Sequence, residues 1–233
     1  MKHAHYRIAA AIAIAIAVPA LAKGTPDTRT LGVGAKPPEG AVVLFDGKNT
    51  DAWTNAWKIQ MDRSMVSGGG DNTSKQKFED GWYHVEFKVP LMPDKHGQER
   101  GNSGVYLQDR FEVQVLDSYG IADPGTGDCG AIYSISAPLV NACKPPLEWQ
   151  AYDIIFKAPR FDAAGKKIAT ARLTVFQNGT LVQNNTEATH TTISAGDLQE
   201  QGPGPLKLQD HGTQVTYRNV WVKPLPLKGA DHY

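Results

Sequence analysis

After residue 40 the chain alternates between apolar and polar positions with a period of two. The clearest run spans residues 81–89. Trp82, His84, Glu86 and Lys88 fall on one side of it, and Tyr83, Val85, Phe87 and Val89 on the other. Successive side chains of a strand point to opposite faces of a sheet, so this run predicts a strand with one buried face. Pro90 ends it, because proline cannot donate to a ladder. Residues 102–108 and 110–117 read as the two arms of a hairpin turning at Asp109-Arg110. In the second arm Phe111, Val113 and Val115 alternate with Glu112, Gln114 and Leu116. Further strands are expected at 41–45, 130–135, 149–156, 171–177, 180–183, 205–209 and 214–222. Asn178-Gly179 is a two-residue hairpin turn, since both residue types tolerate positive φ. No apolar spacing of helical period extends beyond one or two turns. The pattern therefore predicts an all-β chain folded as a two-sheet antiparallel β-sandwich or jelly roll.

The ends of the chain read differently. Lys2 and Arg7 precede a short apolar run, 8–18; Pro19 breaks it, and Ala20-Leu21-Ala22 has the form of a cleavage site. The run is shorter than the roughly 20 residues that cross a bilayer. The expectation is a signal peptide over 1–22, export to the periplasm or beyond, and no stable membrane anchor. Residues 23–40 are rich in Gly, Pro and Thr and read as a flexible leader. No repeat or low-complexity linker follows, so 41–233 is expected to be one domain. Lys plus Arg and Asp plus Glu number 24 each, for a net charge of +0, which argues against a nucleic-acid partner. Export makes Cys129 and Cys143, the two cysteines of the chain, an expected disulfide. Closing a loop of about 15 residues is worth ~3 kcal/mol in the chain-entropy model. Two buried thiols, or half of a metal site, are the open alternatives.

Glu112 and Gln114 project side by side from one sheet face, with Asp117 just beyond. A carboxylate beside an amide is what a carbohydrate site needs, although a strand Glu paired with Arg110 or Arg218 has the same pattern. His211 sits between Asp210 and Gly212 in a turn-like context, where its near-neutral pKa suits a base or acid. Arg218 offers a planar fork to an oxyanion. Asn102, Gln209 and Asn219 suit sugar hydroxyls or turn backbone. Trp57, Tyr106, Tyr133 and Trp149 are aromatic platforms or core residues, and Tyr133 is favoured because Gly130 and Ser134 leave room around it. A divalent cation is an open possibility, held by Glu112 with His211 or by Asp117, Asp123 and Asp128.

Seven short motifs occur in order: residues 44–49 (LFDGKN), 100–104 (RGNSG), 112–118 (EVQVLDS), 148–149 (EW), 178–179 (NG), 208–212 (LQDHG) and 217–221 (YRNVW). Together they resemble the 3-keto-disaccharide hydrolase family over residues 41–223. The resemblance implies a concanavalin A-like sandwich with sugar on its concave face. It also implies cleavage of 3-keto-glycosides, by hydrolysis or by elimination and hydration. Taken with the residue chemistry above, catalysis is expected from Glu112, His211 and Arg218, and substrate binding from Gln114, Asn102, Asp117, Tyr133, Trp149, Gln209 and Asn219. A ketone at C3 makes the C2 proton acidic, so one base, one oxyanion stabiliser and one acid suffice. Ordinary retaining hydrolysis needs two carboxyls about 5–5.5 Å apart. Gln114 stands where a second acid would be, and Asp117 is too far along the strand. A non-catalytic carbohydrate-binding module and an adhesion sandwich are the rival readings. Oligomeric state is not legible in the pattern.

Overall fold

The computed structural model describes residues 31–227. The expected signal peptide and residues 23–30 of the expected leader lie outside the described residues.

Strands dominate, as the period of two requires. In chain order they are β1 (Val42–Phe45), β2 (Lys58–Ile59), β3 (Met65–Val66), β4 (Asn72–Phe78), β5 (Gly81–Lys88), β6 (Ser103–Leu107) and β7 (Phe111–Val115). Then follow β8 (Gln150–Lys157), β9 (Arg160–Phe161), β10 (Lys167–Ala169), β11 (Ala171–Gln177), β12 (Thr180–Ala188), β13 (Gly204–Leu208) and β14 (Thr216–Pro224). A 3₁₀ turn, Gly97–Glu99, is the one helical element among the described residues. The larger sheet has the order β12-β11-β8-β5-β14-β3-β2, with β1 also paired to β14, and the smaller has β4-β13-β6-β7. Pairing is antiparallel in both. The protein is thus an all-β antiparallel sandwich.

Alternation decides which side chains fill the space between the sheets. Tyr83, Val85 and Phe87 of β5, Tyr152, Ile154 and Phe156 of β8, and Leu173 and Val175 of β11 enter the core from the larger sheet. Val105 and Leu107 of β6, Phe111, Val113 and Val115 of β7, and Leu206 and Leu208 of β13 meet them from the smaller one. Trp53 and Trp57 are core residues, each 2% exposed, and Trp57 stacks on Tyr217. Trp57 is therefore no sugar platform. The outward positions of the same strands make two polar faces on opposite sides of the sandwich.

Four sequence expectations need correction. The β6–β7 turn lies one residue early, at Gln108 and Asp109, both with φ of 58°. Residues 130–135 are not a strand: Gly130 N donates to Gln114 O and Tyr133 N to Glu112 O, so the segment covers the free edge of β7 irregularly. β4 was not foreseen, because its inward Asn72 and Ser74 are polar and serve as acceptors for Asn55 N and Leu206 N. Finally, the leader is fixed from residue 31 onward. Gly32 N donates to Asp153 Oδ2 and Gly34 N to Glu86 Oε1, each at 2.7 Å, and Ala35 is buried.

Candidate active site

The smaller sheet carries a pocket on its outer face. β6 turns Gly104 and Tyr106 outward, and β7 turns Glu112 and Gln114 outward, because their neighbours Val105, Leu107, Val113 and Val115 are drawn into the core. The register sets Tyr106 opposite Glu112 and Gly104 opposite Gln114. Asn102 enters just before β6, and Gln209 and His211 just after β13. These groups, with Gln98, Tyr133, Ile193 and Ser194, line a small open-mouthed pocket of ≈ 110 Å³. That is smaller than a typical drug-sized ligand site, room for one end of a ligand whose remainder lies at the mouth.

Glu112 is the one carboxylate lining the pocket, and it is 3% exposed. Burial pushes its carboxyl up; a hydrogen bond from Tyr106 and the charge of Lys207 oppose this, Asp71 adds to it, and the balance lies at about 8. The Tyr106 phenol is itself pushed far up by burial and the nearby carboxylates, so it stays protonated and donates to Glu112. Gln209 Nε2 donates to the same phenol at 3.1 Å. The Gln114 amide, oriented by its hydrogen-bond network, donates to Glu112 Oε1 and to Ser103 O, both at 2.9 Å. One carboxyl is thus held by a phenol and an amide, inside a wall of neutral donors and acceptors. His211 is exposed at the mouth, in a turn fixed by Asp210, whose Oδ1 accepts from Gly212 N and whose Oδ2 accepts from Gly70 N.

The RGNSG motif becomes physically legible here. Arg100 donates to Asp117 O, Gly101 takes a φ of 61°, and Asn102 reaches the pocket. Ser103 Oγ donates to Gln209 O at 2.5 Å, tying β6 to the end of β13. At Gly104 any side chain would strike Glu112 Oε1, so a bare Cα is what lets the carboxyl occupy its place.

Of the expected residues, Glu112, Gln114, Asn102, Tyr133, Gln209 and His211 meet in this pocket. Four do not. Arg218, Asn219 and Trp149 belong to the opposite face, because β14 carries the first two, Trp149 immediately precedes β8, and both strands belong to the larger sheet. There Arg218 Nε donates to Glu86 Oε2 at 2.7 Å, and its guanidinium lies 4.0 Å from the centroid of the Trp149 ring. Asn219 donates to Glu86 Oε1 and to Ala35 O, each at 2.8 Å. Asp117 is buried against Arg100, with Nε 3.1 Å from Oδ2. Gln98, Ile193 and Ser194 were missed because they lie in irregular segments with no periodic signal. Tyr106, weighed as a platform or a core residue, is a hydrogen-bond partner of the acid; its alternation with Val105 and Leu107 was the available clue.

Among the described residues no group of three His, Cys, Asp or Glu side chains is arranged to hold a metal ion. Asp128 accepts from Ser118 Oγ and Gly125 N, the work of a turn former. Cys129 and Cys143 are free thiols rather than a disulfide. They are nevertheless adjacent: Gln177 Nε2 donates to both sulfurs, at 3.4 and 3.3 Å.

Residues 40–223 match the model of a family described as the 3-keto-alpha-glucoside-1,2-lyase-like domain. Among solved structures, the chain is similar to one described as a candidate glycosyl hydrolase from Parabacteroides distasonis. The two share 40% identity over 81% of this chain and 85% of the other, with a TM-score of 0.74. Two further candidate glycosyl hydrolases of that organism share the fold, at 18% and 21% identity and TM-scores of 0.58 and 0.55. They cover 81% and 79% of this chain, and 95% and 99% of their own. A search of curated proteins gives no match. The family match spans nearly all of the sandwich, pocket included, and the chain belongs to the 3-keto-alpha-glucoside-1,2-lyase-like domain family, also known as the 3-keto-disaccharide hydrolases.

Proposed function

We propose that this protein is an exported, periplasmic or secreted, carbohydrate-active enzyme that cleaves the glycosidic bond of 3-keto-glycosides at the Glu112 pocket. The observation that carries the reading is the meeting of one buried carboxyl, Glu112, with His211 and a set of neutral amides in one small pocket. Family membership and the glycosyl hydrolase description of the 40%-identical structure support it, and the sequence of residues 1–22 supports export.

One carboxylate is too few for double displacement, which needs a pair. It is enough for elimination. The C3 ketone acidifies the C2 proton. Ionised Glu112 takes that proton, and the C2–H electron pair becomes the enolate. The enolate then collapses, the C1–O bond breaks, and the leaving oxygen takes a proton from His211 at the mouth. Water addition to the unsaturated sugar would complete net hydrolysis. With Arg218 on the other face, the enolate oxygen is left to the side-chain amides of Gln98, Asn102 and Gln209.

The test pairs a 3-keto-glucoside with its parent glucoside. The expected result is cleavage of the keto sugar alone, with the C2 proton-abstraction step speeding up as pH climbs through about 8, where Glu112 ionises. Glu112→Gln should cost about 10²-fold or more in kcat. Equal cleavage of both sugars, or full turnover by Glu112→Gln, would overturn the assignment. Binding of the keto sugar without turnover would favour the lectin-like alternative.

A further inference from the structure

Lys207 is a lysine with almost no exposure, 5% of its surface. An ammonium is withdrawn from water only where partners compensate it. Two of its partners, Tyr106 and Ser194, line the pocket, and two carboxylates flank it. On β13, Lys207 stands directly opposite Tyr106 of β6, and Nζ lies 4.0 Å from the centroid of the Tyr106 ring. Nζ is 2.5 Å from Asp109 Oδ1, at the tip of the β6–β7 hairpin, and 3.7 Å from Asp71 Oδ2. It also donates to the carbonyl of Ser194, a lining residue, at 3.3 Å. Asp109 in turn accepts from Gly196 N, so the hairpin tip and the 192–196 segment are bound to the same ammonium.

We propose that Lys207 is a positioning residue of this site: it braces Tyr106 beneath Glu112, balances the carboxylates around that acid, and fixes the lip of the pocket at Ser194. The inference rests on the reading of Glu112 as the group that carries the proton. The charged and titratable groups facing Glu112 and Tyr106 are Lys207 from β13, Asp71 from the β3–β4 connection, Asp109 from the hairpin tip and His211 from the turn after β13. Lys207 is the one lysine or arginine among them. Without its ammonium, Asp71 and Asp109 would act on Tyr106 and Glu112 unopposed, and the ionised form of Glu112 would be disfavoured. A purely structural ion pair with Asp109 would change the melting temperature and leave the titration of Glu112 alone.

Carbon-13 NMR titration of the Glu112 carboxyl separates these outcomes and needs no substrate. Its result therefore stands whether or not the wild-type protein cleaves a keto sugar, and that turnover assay judges the catalytic reading separately. In Lys207→Met the Glu112 midpoint is expected to rise by about 1 pH unit, and Lys207→Arg should restore most of the wild-type value. Tyr106→Phe keeps the ring and removes the donor, and should raise the midpoint even if Lys207→Met does not fold. An unchanged or lowered midpoint in folded Lys207→Met, or in Tyr106→Phe where the methionine variant is unfolded, would overturn the proposal.

Discussion

Gly104 shows how much of this site depends on one absent side chain. A Cβ there would overlap Glu112 Oε1 and lie 2.7 Å from Tyr106 Cε2. Gly104→Ala must therefore push apart the acid and its phenol. Overpacking of this kind costs about 1–3 kcal/mol. The expected result is a modest fall in melting temperature and a loss of at least about tenfold in kcat/KM, since a misplacement of ~1 Å can cost 10²-fold. Unchanged kinetics in a folded variant would mean that the carboxyl needs no such room. At this scale the sequence was legible where alternation governs. Glu112 and Gln114 share a face because Phe111, Val113 and Val115 need the other one. Arg218 was misread because a strand's pattern says which residues point outward and not which sheet the strand joins. β14 joins the larger sheet, and its irregular pairing between Arg218 and Trp221 turns both Arg218 and Asn219 away from the core.

The elements that were hardest to read are those that finish the smaller sheet. β7 ends that sheet, and an unpaired edge invites association. Here the edge is covered by backbone groups of residues 130–133 and by Thr192 Oγ1, which accepts from Glu112 N at 3.0 Å. Residues 130–135 had the composition of a strand, but Gly130, with a φ of 86°, and Ser134, with a φ of 59°, bend the segment out of regular pairing. The same segment directly follows Cys129. Because both thiols sit on the same Gln177 amide, glutathione disulfide should oxidise them to a Cys129–Cys143 disulfide and be reduced to two glutathione thiols. Non-reducing peptide mapping would detect the link. The oxidised protein should resist urea by up to ~3 kcal/mol more, the value for a loop of about 15 residues. Failure to form the link in folded protein under mild oxidation would show that the thiols are held out of bonding geometry. β4 was invisible for a different reason: its inward side chains act through hydrogen bonds, and hydropathy does not register them.

Over the whole molecule, the two outer faces divide the work. On the face away from the pocket, His84 is fully buried between Asp153 (Nδ1 to Oδ1, 2.7 Å) and Glu86 (Nε2 to Oε1, 3.5 Å), with Trp221 stacked on its ring. Burial would raise Glu86, but hydrogen bonds from His84, Asn219, Gly34 N and Arg218 outweigh it and bring the carboxyl to about 2. Its contribution to stability is therefore present above its ordinary pKa of 4.5 and lost as pH falls toward about 2. Burial would lower His84, but its two carboxylates outweigh it and hold the ring above its ordinary 6.5, so its contribution is present below 6.5 and fades as pH rises through the higher folded value. Removing one member of such a cluster strands its partners, which typically costs 3–5 kcal/mol. Urea unfolding of Glu86→Gln at pH 6 should show a loss of about that size, and the wild-type protein should lose stability in acid. A variant as stable as the wild type would mean that the cluster is balanced by solvent. That cluster also clamps Gly32 and Gly34, so the polypeptide joins the sandwich on the side remote from the Glu112 pocket. A tether attached upstream, to a bead, a biosensor chip or a fused partner, would leave the mouth at His211 turned toward solution, whereas attachment through the turn around Gly212 would block it.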